Sequence, residues 1–289
     1  MGTEAIQTDP LANTVRLGLI GSSIQRSRSP AMHRAAAEAA GVPLSYELLD
    51  LEQISGGAAT LPALLARAQA DGFAGLNITH PCKQAAIPLL DEVSPEVEAI
   101  GAVNTVVFRG GRSIGHNTDW SGFAEAFRRG LPDVKLASAV MLGAGGAGSA
   151  VAYAALRLGV ERLSIYDIDA KRTGQLVERL AASFGADPIE PATDLFKALD
   201  GADGLINASP IGMYKYPGLP LPKDLLRPEL WVSEVVYVPL ETELVKLATE
   251  RGCRVLDGGG MALFQAVDAF RLFTGLEPDV EVMRARLFG

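Results

Sequence analysis

Cysteine is scarce in this 289-residue chain: Cys82 and Cys253 are too few and too far apart for a disulfide framework or a zinc site, so they read as reduced thiols. Histidine is almost as rare. His33, His80 and His116 have no ligand spacing and no acid cluster joining them, so no metal is expected. The G-x-S-x-G signature of a serine nucleophile elbow is also missing. No apolar run approaches the roughly 18 residues of a membrane span. The opening stretch from Met1 to Asn13 carries acids and lacks the apolar core of a secretory signal. A cytoplasmic protein without a membrane partner is expected. The net charge is -8 and there is no Lys/Arg block, which argues against nucleic acid and leaves small molecules as partners.

What is abundant is glycine at one place. The run Gly143-Ala144-Gly145-Gly146-Ala147-Gly148 follows the apolar segment 139–142 and precedes a helix-like segment ending at Gly159. In G-x-G-x-x-G the first glycine allows the turn, the second lets backbone approach a pyrophosphate, and the third lets helix and strand pack closely. A second strand-like run, 163–167, ends in Asp167, 19 residues after Gly148, close to the spacing of a ribose-binding carboxylate. The turn lies midway along a chain long enough for two cores.

Strand and helix patterns alternate before it: strands over 14–20, 44–51 and 73–79, and helices over 31–40 and 61–70. Ser29 is expected as N-cap of the first helix, with Pro30 in its first turn. Two β-rich stretches, 102–108 and 113–115, flank a hairpin-like turn and are expected at an antiparallel edge. A helix over 120–129 follows. After Asp167, helices are expected over 171–184, 194–199 and 241–251, and strands over 204–208, 231–237 and 254–256. The fold class is two α/β domains with a cleft between them. A substrate-binding domain with a mostly parallel sheet spans 1–130, with 1–13 expected to be disordered. A Rossmann-like dinucleotide-binding domain spans 131–260, and C-terminal helices over 261–289 pack back across the first domain.

The chemistry-bearing residues gather at strand ends, where open α/β sheets bind ligands. Asn77-Ile78-Thr79-His80-Pro81-Cys82-Lys83 ends one strand, with Pro81 expected to open a helix that carries Lys83 in its first turn. Gly115-His116-Asn117-Thr118-Asp119 ends another. An ammonium can hold a substrate oxygen and a carboxylate can orient it, although each residue alone also reads as a surface lysine and a helix-capping acid. Ser27 and Ser29 offer hydroxyls at a helix start, which a capped helix also explains. Asn104 is a polar residue at a strand start. Gln265 lies in an apolar helix, where a buried amide needs partners.

With these segments the chain resembles the shikimate and quinate dehydrogenase family over nearly all its length. The matching pieces are Ser27-x-Ser29-Pro30, Asn77-x-Thr79-x-Pro81-x-Lys83, 101–105, Asn117-Thr118-Asp119, the glycine turn, 207–213 and 260–265. The resemblance implies that Lys83 is catalytic and paired with Asp119. It implies that Ser27 and Ser29 take the substrate carboxylate with Tyr237, and that Thr79, Asn104, Asp119 and Gln265 hold ring hydroxyls, with Asn77 in the same motif. Gly143, Ala144, Gly145, Gly146 and Ala147 would cradle the cofactor, Asp167 and Arg172 would face its adenosine ribose, and Met213, Val235 and Gly258 would surround the nicotinamide.

Two departures bear on specificity. NADP-using members carry Asn-Arg-Thr where this chain has Asp167-Ile168-Asp169. A carboxylate about 4 Å from a 2′-phosphate costs roughly 4 kcal/mol at an effective dielectric near 20, so NAD is expected over NADP, although Lys171 and Arg172 soften the repulsion. Gln25-Arg26 replaces a usual histidine and His80 a usual apolar residue, as in the quinate/shikimate branch and in amino-shikimate relatives. The expected reaction is hydride transfer at a ring secondary alcohol of shikimate, quinate or a close analogue, in a monomer or homodimer. The rival readings are an NADP-linked biosynthetic shikimate dehydrogenase, a dehydrogenase of another small alcohol, and a non-catalytic sensor of a cyclitol acid.

Overall fold

The computed structural model describes residues 14–289; the expected disorder of 1–13 lies outside the described residues. In chain order the first half contains β1 (Val15–Gly21), α1 (Ser29–Ala39), β2 (Leu44–Asp50), α2 (Leu61–Ala70), β3 (Gly75–Ile78), β4 (Glu92–Val93), α3 (Pro95–Ile100), β5 (Thr105–Arg109), β6 (Arg112–His116) and α4 (Asp119–Gly130). Its six-stranded sheet has the order β2-β1-β3-β5-β6-β4. β1 runs parallel to both β2 and β3, β5 is antiparallel to β3 and β6, and β4 lies parallel to β6.

The second half contains β7 (Ala139–Leu142), α5 (Gly146–Leu158), β8 (Leu163–Tyr166), α6 (Ala170–Phe184), β9 (Ile189–Pro191), α7 (Leu195–Leu199), β10 (Gly204–Asn207), β11 (Trp231–Glu234), α8 (Glu243–Glu250) and β12 (Arg254–Leu256). All six strands pair in parallel, in the order β12-β11-β10-β7-β8-β9. This is the doubly wound order of dinucleotide-binding sheets. Its switch point falls between β7 and β10, so the crevice opens beyond Leu142 and Asn207. Strands buried on both sides explain the unbroken apolar run of β7.

The chain then returns. α9 (Gly259–Thr274) and α10 (Val280–Phe288) bury Leu263, Phe270 and Met283 against Met32 and Ala36 of α1 and Ala126 of α4. Further along α9, Ala269 and Phe273 pack with Leu17, Leu19 and Tyr46 of the first sheet. A Cβ on Gly75 would lie 2.3 Å from the Phe273 ring, so β3 needs a glycine there for the helix to lie flat.

Several elements depart from expectation. No α-helix follows Pro81: residues 80–86 form consecutive turns and Ile87–Leu89 a short 3₁₀ turn, a span in which Pro81 and Pro88 remove two donors. Ser29 is the first helical residue of α1 rather than its cap; Arg28 holds the cap position without a side-chain bond. The hairpin β5–β6 forms but does not end the sheet, because β4 covers β6. The strand expected over 231–237 stops at Glu234. α3 and β9 lie outside the sequence reading, although Ser94-Pro95 before α3 and Gly101 after it (φ 71°) are ordinary start and stop signals.

Candidate active site

The Lys83 ammonium lies 2.5 Å from Oδ2 of Asp119, with side-chain exposures of 19% and 9%. Neither residue is held there by a helix around Lys83. The Val103 amide donates to the Lys83 carbonyl (2.8 Å), which pins the turn to the segment entering β5. The other carboxylate oxygen, Oδ1, accepts from Asn104 Nδ2 (2.9 Å), while Asn104 Oδ1 accepts from the Thr118 amide (2.7 Å). Asn117 Oδ1 takes the Asp119 amide (3.0 Å). A buried carboxylate with one oxygen on an amide and the other on an ammonium has a fixed orientation and a fixed charge partner.

The bond network continues away from the pair. Thr105 Oγ1 donates to Asn104 Oδ1 (3.0 Å) and accepts from Asn77 Nδ2 (3.3 Å), and Asn77 Oδ1 accepts from the Tyr46 phenol (2.8 Å). Burial of Tyr46 pushes its phenol above the ordinary range. A continuous run of side chains thus joins Tyr46 to Lys83. Asn77 uses both ends of its amide inside this run. Ser27 accepts the Ser29 amide (3.3 Å), and Gln265 bonds within its own helix, to the Ala262 carbonyl (3.0 Å).

The glycine turn lies across from the pair. Gly143 has φ 98°, and a Cβ there would lie 2.7–2.8 Å from backbone of Ala208 and Ser209. A Cβ on Gly148 would lie 2.2 Å from the Gly143 carbonyl, whereas one on Gly145 meets nothing within 4 Å. The first and third glycines close the turn and the second leaves backbone open to a ligand, as a pyrophosphate cradle requires. The nearest atom to a Cβ on Gly146 is Cδ of Lys83, at 3.8 Å. The cleft between these parts has a volume of about 690 Å³. Thr79, Lys83 and residues 144–147 line it together with Arg172, Met213, Val235 and Tyr237. Ser27, Ser29, Asn77, Asn104, Asp119, Gln265, Gly143, Asp167 and Gly258 lie off its wall. Gly258 packs under it, its Cβ position 2.6 Å from the Val235 carbonyl.

Residues 19–106 match the shikimate dehydrogenase substrate binding domain, and residues 258–288 match the shikimate 5′-dehydrogenase C-terminal domain. A shikimate dehydrogenase (NADP(+)) of Streptomyces avermitilis is 53% identical over 266 residues, covering 91% of each chain. The chain belongs to the shikimate dehydrogenase family. A quinate/shikimate dehydrogenase (NAD(+)) of Corynebacterium efficiens is 48% identical, covering 94% of this chain and 97% of its own length. The quinate dehydrogenase of Corynebacterium glutamicum, solved in complex with NAD, superposes with a TM-score of 0.91 at 46% identity, covering 95% and 99% of the two chains. Like these family members, the chain is an NAD(P)-dependent oxidoreductase with the two-domain α/β fold.

Seen as a family cofactor site, the second half adds detail that the sequence did not offer. Asp167 Oδ2 accepts from the Ala144 amide (2.7 Å) and Oδ1 from the Asp169 amide (2.9 Å), which places a carboxylate against the glycine turn. Arg172 is ion-paired to Asp169 at 3.2 Å. Tyr237 is 43% exposed, and the protein packed around it, with the charge of Asp119, pushes its phenol up. Glu234, at the end of β11, is 1% exposed. It accepts from Asn207 Nδ2 (2.9 and 3.1 Å), the Val236 amide (2.9 Å) and the Thr242 hydroxyl (2.9 Å). Burial outweighs these donors and pushes its carboxyl up to about 7. Neither Glu234 nor Tyr46 carries a sequence motif that would have singled it out.

Proposed function

We propose that this enzyme oxidises the ring secondary alcohol of shikimate, and of quinate, to the 3-keto product with NAD, and catalyses the reverse reduction. The observation that carries the reading is Lys83 lying against Gly146 of the dinucleotide turn, so that the lysine held by Asp119 and the cofactor cradle face one cleft. Ser27 and Ser29 take the substrate carboxylate with Tyr237, while Thr79, Asn104, Asp119 and Gln265 hold ring hydroxyls.

When bound, the nicotinamide supplies the hydride acceptor in oxidation and the hydride in reduction. Lys83 donates to the reacting oxygen. In oxidation its ammonium stabilises the alkoxide as the hydroxyl proton leaves through Asp119 or water, and in reduction it gives a proton to the same oxygen. Asn104 keeps Asp119 turned toward Lys83 throughout.

Cofactor choice follows from two carboxylates. Asp167 is fixed beside the turn, and Arg172, a cation on the cleft wall able to welcome a 2′-phosphate, is engaged by Asp169. A ribose with free hydroxyls meets acceptors there, and a phosphate meets like charge. Initial rates with shikimate, quinate and an amino analogue, each with NAD and NADP, test the proposal. Faster turnover with NADP on every substrate overturns the cofactor assignment, and no turnover with either cyclitol overturns the substrate. Asp167→Ala should narrow the NAD preference by about tenfold or more.

A further inference from the structure

One part of the cleft wall is made of two loops. One follows β10 and presents Ser209, Pro210 and Met213; the other follows β11 and presents Val235, Val236 and Tyr237. Neither contains a helix or a named strand, and Met213 and Tyr237 are 41% and 43% exposed, so these two side chains gain little rigidity from burial. The fixed points of the wall lie underneath, where one residue touches both loops.

Asn207, at the root of the first loop, donates to both oxygens of Glu234 and to the Ile211 carbonyl (2.9 Å), while its own Oδ1 receives the Ser209 hydroxyl (2.7 Å) and amide (3.1 Å). Gly212, at φ 113°, has its Cβ position 3.5 Å from Glu234 Oε2 and 3.2 Å from Thr242. From the second loop, Glu234 receives the Val236 amide and the Thr242 hydroxyl, which also caps α8 by accepting from the Val245 amide. Every one of these partners is an uncharged donor. Burying a carboxylate away from any cation is costly, so the arrangement needs a reason. The reason lies in the donors: the two oxygens of Glu234 together accept from an amide, a backbone N–H and a hydroxyl that all point inward, bonds that an apolar side chain there would leave unmade.

We infer that Glu234 is a positioning residue that sets the wall on which the nicotinamide rests, by fastening the 208–213 and 235–242 loops to each other from below. The inference rests on the reading of Met213 and Val235 as nicotinamide contacts. Glu234 itself does not touch the cleft, so it acts through the loops.

Calorimetric titration with NAD and with ADP-ribose, which lacks the nicotinamide, separates the wall from the rest of the cofactor site. Glu234→Gln brings an NH2 group against the inward donors and should weaken NAD binding by about tenfold while leaving ADP-ribose within about twofold. It should also lower kcat more than it raises KM for shikimate. If Glu234→Gln does not fold, Thr242→Val, which removes one donor, should show the same pattern at smaller size. Met213→Ala serves as the reference for the wall. Should Met213→Ala weaken NAD selectively while Glu234→Gln leaves NAD unchanged or weakens both ligands equally, the role of Glu234 is overturned and the wall stands. Should neither variant separate the two ligands, the wall reading fails and this inference fails with it.

Discussion

Lys83 owes its aim to Asn104 as well as to the bond from Val103 to its own carbonyl, since the amide of Asn104 turns Asp119 toward the ammonium and leaves one carboxylate oxygen for it. Lys83→Ala should therefore lower kcat by roughly 10² to 10⁴ with much less effect on substrate affinity, as measured by steady-state kinetics and equilibrium binding. Unchanged kcat would remove Lys83 from the chemistry. His33 shows a different kind of constraint. It is fully buried among Tyr46, Phe270 and Phe273, both ring nitrogens lack partners, and desolvation lowers its pKa from 6.5 to about 3. Below pH 6.5 the unfolded chain binds a proton there that the folded chain does not, so stability falls as the pH drops from 6.5 toward 3. His33→Leu should abolish that component, on the order of 4 kcal/mol at the acid end, read as a flatter dependence of chemical unfolding on pH. An unaltered acid slope would assign the loss to the carboxylates.

At the scale of elements, the contact of α4 with α9 seats the backbone of Gln265 on Gly122. A Cβ on Gly122 would fall 2.5 Å from the Gln265 amide nitrogen and 2.9 Å from its Cα. Alanine is normally worth about 1 kcal/mol over glycine inside a helix, but overpacking costs about 1–3 kcal/mol and backbone cannot give way as a flexible side chain can. Gly122→Ala should thus destabilise the protein and raise KM for substrate, checked by thermal unfolding and kinetics. The long elements were legible because their patterns are strong: the β7–turn–α5–β8 unit declares itself by glycines, an apolar strand and an acid. The segment after Pro81 was misread because a proline after a strand announces a helix start as readily as a turn, and only the bonds to 103 decide. Two-residue β4 is too short for any period to show, and three-residue β9 has one apolar β-branched residue followed by Glu190 and Pro191. The candidate residues were visible as polar groups at strand ends. The bonds joining them were not, since Tyr46, Thr105 and Glu234 meet their partners across strands distant in sequence.

For the whole molecule, the sheet of the first half is finished by the last helices. Phe270 is fully buried and Phe273 nearly so, against strands and helices more than 200 residues earlier. The nucleotide-binding half is in effect an insertion between two parts of the substrate-binding half. Order of synthesis and order of folding are therefore opposed. As the chain leaves the ribosome, β1 to β6 emerge with one face lacking the apolar cover that α9 will provide, and the second sheet, whose strands and helices are contiguous, is able to close first. The half made first is the half completed last, and a chain ending before residue 259 lacks the helices that cover the first sheet.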